Sequence, residues 1–289
     1  MNMLESLINP KRAEKGPWKM FFIGLVYAFV SLWLVKFFFS SDPVLINYSG
    51  MIVVTFCVMF SLPFMYFIIK QEEIEDEHVE GFFHVWKIHK DAIYAFMWLF
   101  LGFIVAFSFA NIIWHDTSLF NAQIETYCAI NNPGNIVDCV KGVGVPEIAA
   151  GVTGNLTSTG RFLSILQNNM YVMIFTLIFS LFFGAGAIFI LAWNASVISA
   201  AVGIFTGYEK SAFFIGIARY MIHGFPEIAA YFITALAGGI FGLSIVKNGI
   251  KNVRSLRVLE NVAVLLFMAI IILIIAATIE VYFTPLLFN

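Results

Sequence analysis

The sequence predicts an all-α fold, a polytopic membrane bundle of about seven transmembrane helices. Hydrophobic residues make up 61% of the 289 positions and charged residues only 12%, against about 25% charged in an ordinary soluble domain. The mean hydropathy is +0.90. Several apolar runs exceed the roughly 18 residues that a helix needs to cross hydrocarbon.

The spans expected are 20–40, 50–69, 92–114, 169–193, 195–222, 225–246 and 258–284. Lys11, Arg12, Lys15 and Lys19 lead into the first, and no small-residue cleavage site follows it, so it is expected to stay as an anchor. The fifth is interrupted by Gly207-Tyr208-Glu209-Lys210. Two half-helices or a re-entrant pair are the alternatives there, because irregular backbone at that depth needs protein cover or a wet cavity. With the N-terminus inside, the segments on the inner side hold eleven of the sixteen Lys and Arg, the last four being Lys247, Lys251, Arg254 and Arg257. Basic residues favour the cytoplasmic side. The expectation is a multi-pass protein of the cell membrane with a cytoplasmic N-terminus, loop 116–168 outside and the C-terminus outside.

Three regions follow. Residues 1–115 form an N-terminal membrane region of three spans with an acidic cytoplasmic loop at 70–91. Residues 116–168 form an extracytoplasmic loop, and 169–289 form a C-terminal membrane region. Glu72, Glu73, Glu75, Asp76, Glu77 and Glu80 run together with His78, His84 and His89. Such a run reads as a solvated helical face or a mobile linker, and its histidines spread around a helix rather than converge on a metal. Gly81–Lys90 has the pattern of an interfacial amphipathic helix. The outer loop carries Cys128 and Cys139. A disulfide is expected, because the outside is oxidising and a loop this small cannot build a core of its own. Cys57 reads as packing. Asn47-Tyr48-Ser49 and Asn155-Leu156-Thr157 are sequons on the expected outer side. Pro146–Ala150 and Pro226–Ala230 share the string PEIAA, which reads as shared helix-start chemistry rather than duplication.

The polar constellation lies in the long apolar stretch Ser211–Val246. Arg219, His223 and Glu227 fall at i, i+4 and i+8, roughly one helical face. An ionisable group at membrane depth costs at least about 2.5–3.5 kcal/mol on insertion scales, so three together are expected to face the bundle. Pro226 removes a donor and Gly224 precedes it, which predicts a helix break near Gly224-Phe225. Gly238, Gly239 and Gly242 then permit close approach of a neighbouring helix, with Gly184 and Gly186 as the facing groove. Asn168, Asn169 and Asn194 are expected to cap the two ends of the fourth span.

Three functions compete for these residues: a structural polar knot, an ion or proton pathway that could include Glu209 or Glu280, and a metal site. Catalytic zinc needs three protein ligands. His223 and Glu227 supply two, and only His115 stands as a distant third. No nucleotide-binding loop or nucleophile elbow is present, and a net charge of −2 without a basic stripe argues against nucleic acid. The sequence assigns no catalytic residue, no metal and no cofactor. The expected partners are the lipid bilayer and other membrane or envelope proteins, and a homo-oligomer is compatible with them.

Ile165–Asn169, Phe183–Gly186, Asn194 and His223–Ala230 with Gly238, Gly239 and Gly242 together resemble the stage II sporulation protein M family over roughly residues 160–250. Ala195 stands where that family tends to have Gly, and Ile222 where it often has Pro. The resemblance implies an all-helical membrane protein without an established catalytic activity. The family's namesake works within a complex that remodels septal peptidoglycan, as an anchor or scaffold for cell-wall hydrolases. The leading expectation is therefore a membrane scaffold or assembly subunit. A transporter or channel subunit using His223 and Glu227 comes second, and an intramembrane metal-dependent hydrolase third.

Overall fold

Hydrocarbon offers the backbone no hydrogen-bonding partner, so an apolar chain that crosses it must close its own ladder as helices. The structure, a computed structural model, describes residues 16–76, 82–114, 116–131, 134–143, 157–183 and 188–288. Most of those residues are helical, and no strand is among them. Seven helices are long and apolar enough to cross a membrane, and the chain is an integral membrane protein of the expected all-α class. In order the described α-helices are α1 (Lys19–Phe38), α2 (Ser49–Asp76), α3 (Phe82–Trp114), two short helices α4 (Asn121–Asn131) and α5 (Ile136–Gly142), α6 (Ser158–Phe183), α7 (Ile188–Phe205), α8 (Phe213–Asn248), α9 (Val253–Thr278) and a last turn α10 (Thr284–Leu287).

The span boundaries shift in the second half. The fourth span begins at Ser158 rather than 169, the fifth is Ile188–Phe205, and the sixth is one helix of 36 residues, Phe213–Asn248. The expected break at Gly224-Phe225 is absent, because α8 runs straight through Pro226. Losing one N–H leaves a single carbonyl, that of Ile222, without its ladder donor, and neighbouring helices tolerate such a gap in a bundle. The chain breaks instead at Gly207 and Tyr208, with φ of +58° and +62°. Glycine reaches that region freely, whereas Tyr208 pays a steric cost there. Burial of its ring, at 6% exposure, holds Tyr208 in place.

α3 and α8 form the centre. α8 packs on α2, α3, α6, α7 and α9, while α3 packs on α1, α2, α7, α8 and α9. The most apolar window of α8 is 78% buried against 17% for α6, so α6 presents mostly a lipid-facing surface. Trp33, Phe37, Phe175, Phe182 and Phe267 are exposed along the outer helices, as expected where the solvent is lipid rather than water. Where α3 crosses α8, Phe96 stacks on Phe232 and Phe100 meets Phe232 edge-on.

Two crossings depend on missing side chains. A Cβ on Gly102 of α3 would collide with the Phe21 carbonyl of α1, and one on Gly24 would collide with the Leu99 carbonyl. On α8, a Cβ at Gly238 would lie 2.9 Å from the Leu177 carbonyl oxygen, and one at Gly242 would strike that of Leu181. The partner surface of Gly238 and Gly242 is thus the α6 backbone at Leu177–Leu181. Gly184 and Gly186 lie outside the described residues.

Polar groups tie the bundle at both ends. At the end that carries α4 and α5, Asn121 Nδ2 donates to the Asn47 carbonyl (2.6 Å), Gln123 Nε2 donates to the Gly50 carbonyl (2.9 Å), and Lys36 pairs with Asp116 at 3.5 Å. Asp42 accepts the backbone N–H groups of Val44 and Leu45, which holds its carboxyl below the usual carboxylate range. Cys128 and Cys139 lie together here, with Cα atoms 5.8 Å apart. Asn47 of one sequon is exposed, whereas Asn155 and the first PEIAA string lie outside the described residues.

Gly242→Val is expected to destabilise the bundle by about 1–3 kcal/mol, the usual range for overpacking, with a lowered thermal midpoint in detergent. Gly134→Ala, which adds a methyl into open space, is expected to leave that midpoint unchanged.

Candidate functional site

Three helices bring the site together. α8 supplies Arg219, His223 and Glu227, α6 supplies Asn169, and the end of α9 supplies Glu280 and Thr284. The three α8 groups do not bond one another. Arg219 Nη1 donates to the Phe288 carbonyl (3.1 Å), and its guanidinium lies 4.4 Å from the centre of the Phe205 ring. His223 Nδ1 sits 3.3 Å from Thr284 Oγ1. Glu227 accepts the Tyr231 hydroxyl at 2.9 Å. Tyr231 is fully buried and one turn further along α8; its i+4 spacing from Glu227 was the available signal.

The end of α9 is remodelled to meet these groups. Ile279–Phe283 is a π-helical turn, with the Thr284 N–H bonded five residues back to Ile279. Thr284 Oγ1 donates to the same carbonyl at 3.2 Å. Pro285 follows, so the chain has no N–H at that position with which to continue an α-helical ladder. π-turns of this kind gather at functional sites. This one carries Glu280, which lies close enough to Glu227 for the two charges to oppose each other, with Arg161 of α6 as a countercharge. Tyr220 of α8 bonds Tyr127 of α4, linking the site to the loop helices.

Of the asparagines, only Asn169 belongs to the site. It is 5% exposed and lies beside Glu227, with its amide nitrogen buried and outside hydrogen-bonding geometry. Asn168 is exposed on α6. Asn194 lies inside α7, where its amide donates to the Ile190 carbonyl at 2.7 Å. Neither Asn168 nor Asn169 caps a helix, because α6 starts eleven residues earlier than 169. Gly224 and Pro226 lie within continuous helix. At about 1.5 Å per residue, Glu227 is about 21 Å from the start of α8 and about 30 Å from Lys247 near its other end. The site therefore lies nearer the α4–α5 end of the bundle.

A second polar cluster occupies the opposite end, where sequence alone predicts a solvated acidic face. Glu72, Glu73 and Asp76 are instead buried, at 1%, 3% and 0% exposure. α2 continues to Asp76, so the helical period puts these three on one face against α3, α8 and α9. His89 of α3 is fully buried between them, its Nδ1 2.5 Å from Glu72 and its Nε2 2.9 Å from Asp76. Lys247 reaches Glu73 at 3.4 Å, and Asn261 of α9 donates to the Asp76 carbonyl at 3.4 Å. The sequence signal was the i, i+4 spacing of Glu72 and Asp76 facing a histidine across a short connection. Among the described residues, no group of three or more His, Cys, Asp or Glu side chains is arranged to hold a metal ion. His115 lies outside them.

Tyr231→Phe is expected to cost about 1–3 kcal/mol by leaving the Glu227 carboxyl without its buried donor. Glu227→Gln keeps an acceptor for that hydroxyl and is expected to cost less than Glu227→Ala. Thermal unfolding in a mild detergent orders the three.

A family model described as Stage II sporulation protein M matches residues 20–285. The match extends beyond the 160–250 region that carried the resemblance, taking in the first three spans and both loop cysteines. No curated protein and no solved structure matches the chain.

Proposed function

The chain belongs to the Stage II sporulation protein M family, and from that premise we propose that it is a scaffold or assembly subunit of a membrane complex linked to remodelling of the cell envelope. The observation that carries this reading is the commitment of Arg219, His223 and Glu227 to separate partners within the bundle. Charged groups used in this way hold the α9 end and, through Tyr220 and Tyr127, the α4 helix in fixed positions. A rigid platform of short helices beside the membrane suits a protein that positions others. The orientation proposed has the N-terminus and the Glu72–His89 end inside, with α4, α5 and the C-terminus outside. The Cys128–Cys139 pair is then a disulfide that staples the exported platform.

One observation favours a second reading. Glu227 and Glu280 oppose each other inside the bundle. Carboxylates inside a membrane bundle are a place to carry a proton. A transporter or channel subunit would use them to couple flux to pH.

Purification in mild detergent and reconstitution into vesicles separate the two readings. The scaffold reading expects His223→Ala and Arg219→Ala to reduce recovery of the assembled complex in step with their loss of thermal stability. It also expects Glu227→Gln to leave vesicle permeability unchanged. A pH-dependent flux that Glu227→Gln abolishes while stability is retained would overturn it in favour of transport. For the staple, a thiol label is expected to reach Cys128 and Cys139 only after reduction, whereas labelling of both without reductant would refute it.

A further inference from the structure

The cluster at the Glu72–His89 end has a proton requirement that follows from its geometry. Each ring nitrogen of His89 faces a carboxylate oxygen, Glu72 on one side at 2.5 Å and Asp76 on the other at 2.9 Å. A nitrogen and an oxygen at such distances attract only if a proton lies between them. The two contacts together therefore need two protons. An imidazolium between two ionised carboxylates supplies both, and so does a neutral imidazole with one protonated carboxyl.

Remove one proton, and a nitrogen lone pair faces a carboxylate oxygen. Water cannot replace the lost bond, because His89, Glu72 and Asp76 are all at most 1% exposed. Lys247 from α8 is engaged with Glu73, the partner from α9 is the neutral Asn261, and Glu75, Lys87, Asp91, Arg254, Arg257 and Glu260 are exposed. Losing the proton takes the triad from a net charge of −1 to −2 in a space that solvates neither.

The location gives this a mechanical consequence. The triad clasps α2 to α3, Asn261 joins α9 to Asp76, and Lys247 joins α8 to Glu73. The triad therefore closes the α2–α3 hairpin, while the adjacent Glu73 side chain and Asp76 carbonyl hold that hairpin against α8 and α9. We propose that Glu72, Asp76 and His89 form a two-proton latch that clasps α2 to α3 at this end of the bundle at neutral pH and loosens that clasp as pH rises. Stability from the latch is complete while both protons are held and is lost with the first to leave.

The substitution Glu72→Gln tests the proton count. The introduced amide donates to the ring nitrogen that faces it, and the other ring N–H donates to ionised Asp76, so a neutral imidazole is fully paired. The expected result is a thermal midpoint in detergent that falls by several degrees for the unmodified protein between pH 7 and pH 10. The midpoint of Glu72→Gln should stay nearly flat over that range beyond the drift common to both. Identical profiles for the two proteins would overturn the proposal. Nitrogen-15 NMR of ring-labelled histidine in the unmodified protein, with His89 assigned by loss of its signal in His89→Gln, provides a check that needs no stable variant at high pH. Expected for His89 is a signal with both ring nitrogens bonded to protons or sharing them, unchanged between pH 6 and pH 8. A neutral ring that titrates near the ordinary histidine value of about 6.5 would likewise overturn it.

Discussion

A polar group inside a helical bundle in lipid has no water to fall back on, so each one has to find its partner in the protein. That constraint orders this molecule. The middle of the bundle is apolar and aromatic where α3 and α8 cross, and nearly all the charge is displaced to the two ends. At one end Arg219, His223 and Glu227 reach the π-turn of α9 and the Asn169 side of α6. At the other, Glu72, Glu73 and Asp76 close on His89 and Lys247. Between them α8 spans the whole height, touching α2, α3, α6, α7 and α9, so both polar clusters act through one helix.

The close crossings make the ends possible. Gly238 and Gly242 let α8 lie against the α6 backbone, which brings Asn169 beside Glu227 in the same interface. Gly24 and Gly102 let α1 lie against α3 in the same way. Where backbones approach this closely, a helix has little freedom to slide, and the polar groups it carries are delivered to fixed places. The π-turn at Ile279–Phe283 adds the last adjustment, turning Glu280 and Thr284 toward α8.

Proline and acidic runs mislead for the same reason. Pro226 carries a local preference for a break, and the run from Glu72 to Asp76 carries a local preference for water. Neither preference is large beside the contacts available to a helix packed on several others. α8 tolerates one unpaired carbonyl because its flanking turns are held by its neighbours. The acidic face is buried because His89 of α3 and Lys247 of α8 supply what water would have supplied. The break falls at Gly207-Tyr208, whose interrupting polar tetrad was visible in the sequence.

The class of the protein, its number of spans and the presence of charge in the apolar stretch Ser211–Val246 were all determined by the sequence alone, because hydropathy and chain length act residue by residue against a solvent of known thickness. The family signature around His223 was legible for the same reason that it is local. What only the tertiary structure decided is which polar group meets which. That Arg219 turns to Phe288, that Glu227 takes Tyr231, and that His89 lies between two carboxylates all depend on helix crossings set by backbone approach. One sequence's hydropathy pattern carries no record of those crossings, since the helices that meet are joined through distant parts of the chain and the pairing energy exists only once they are side by side.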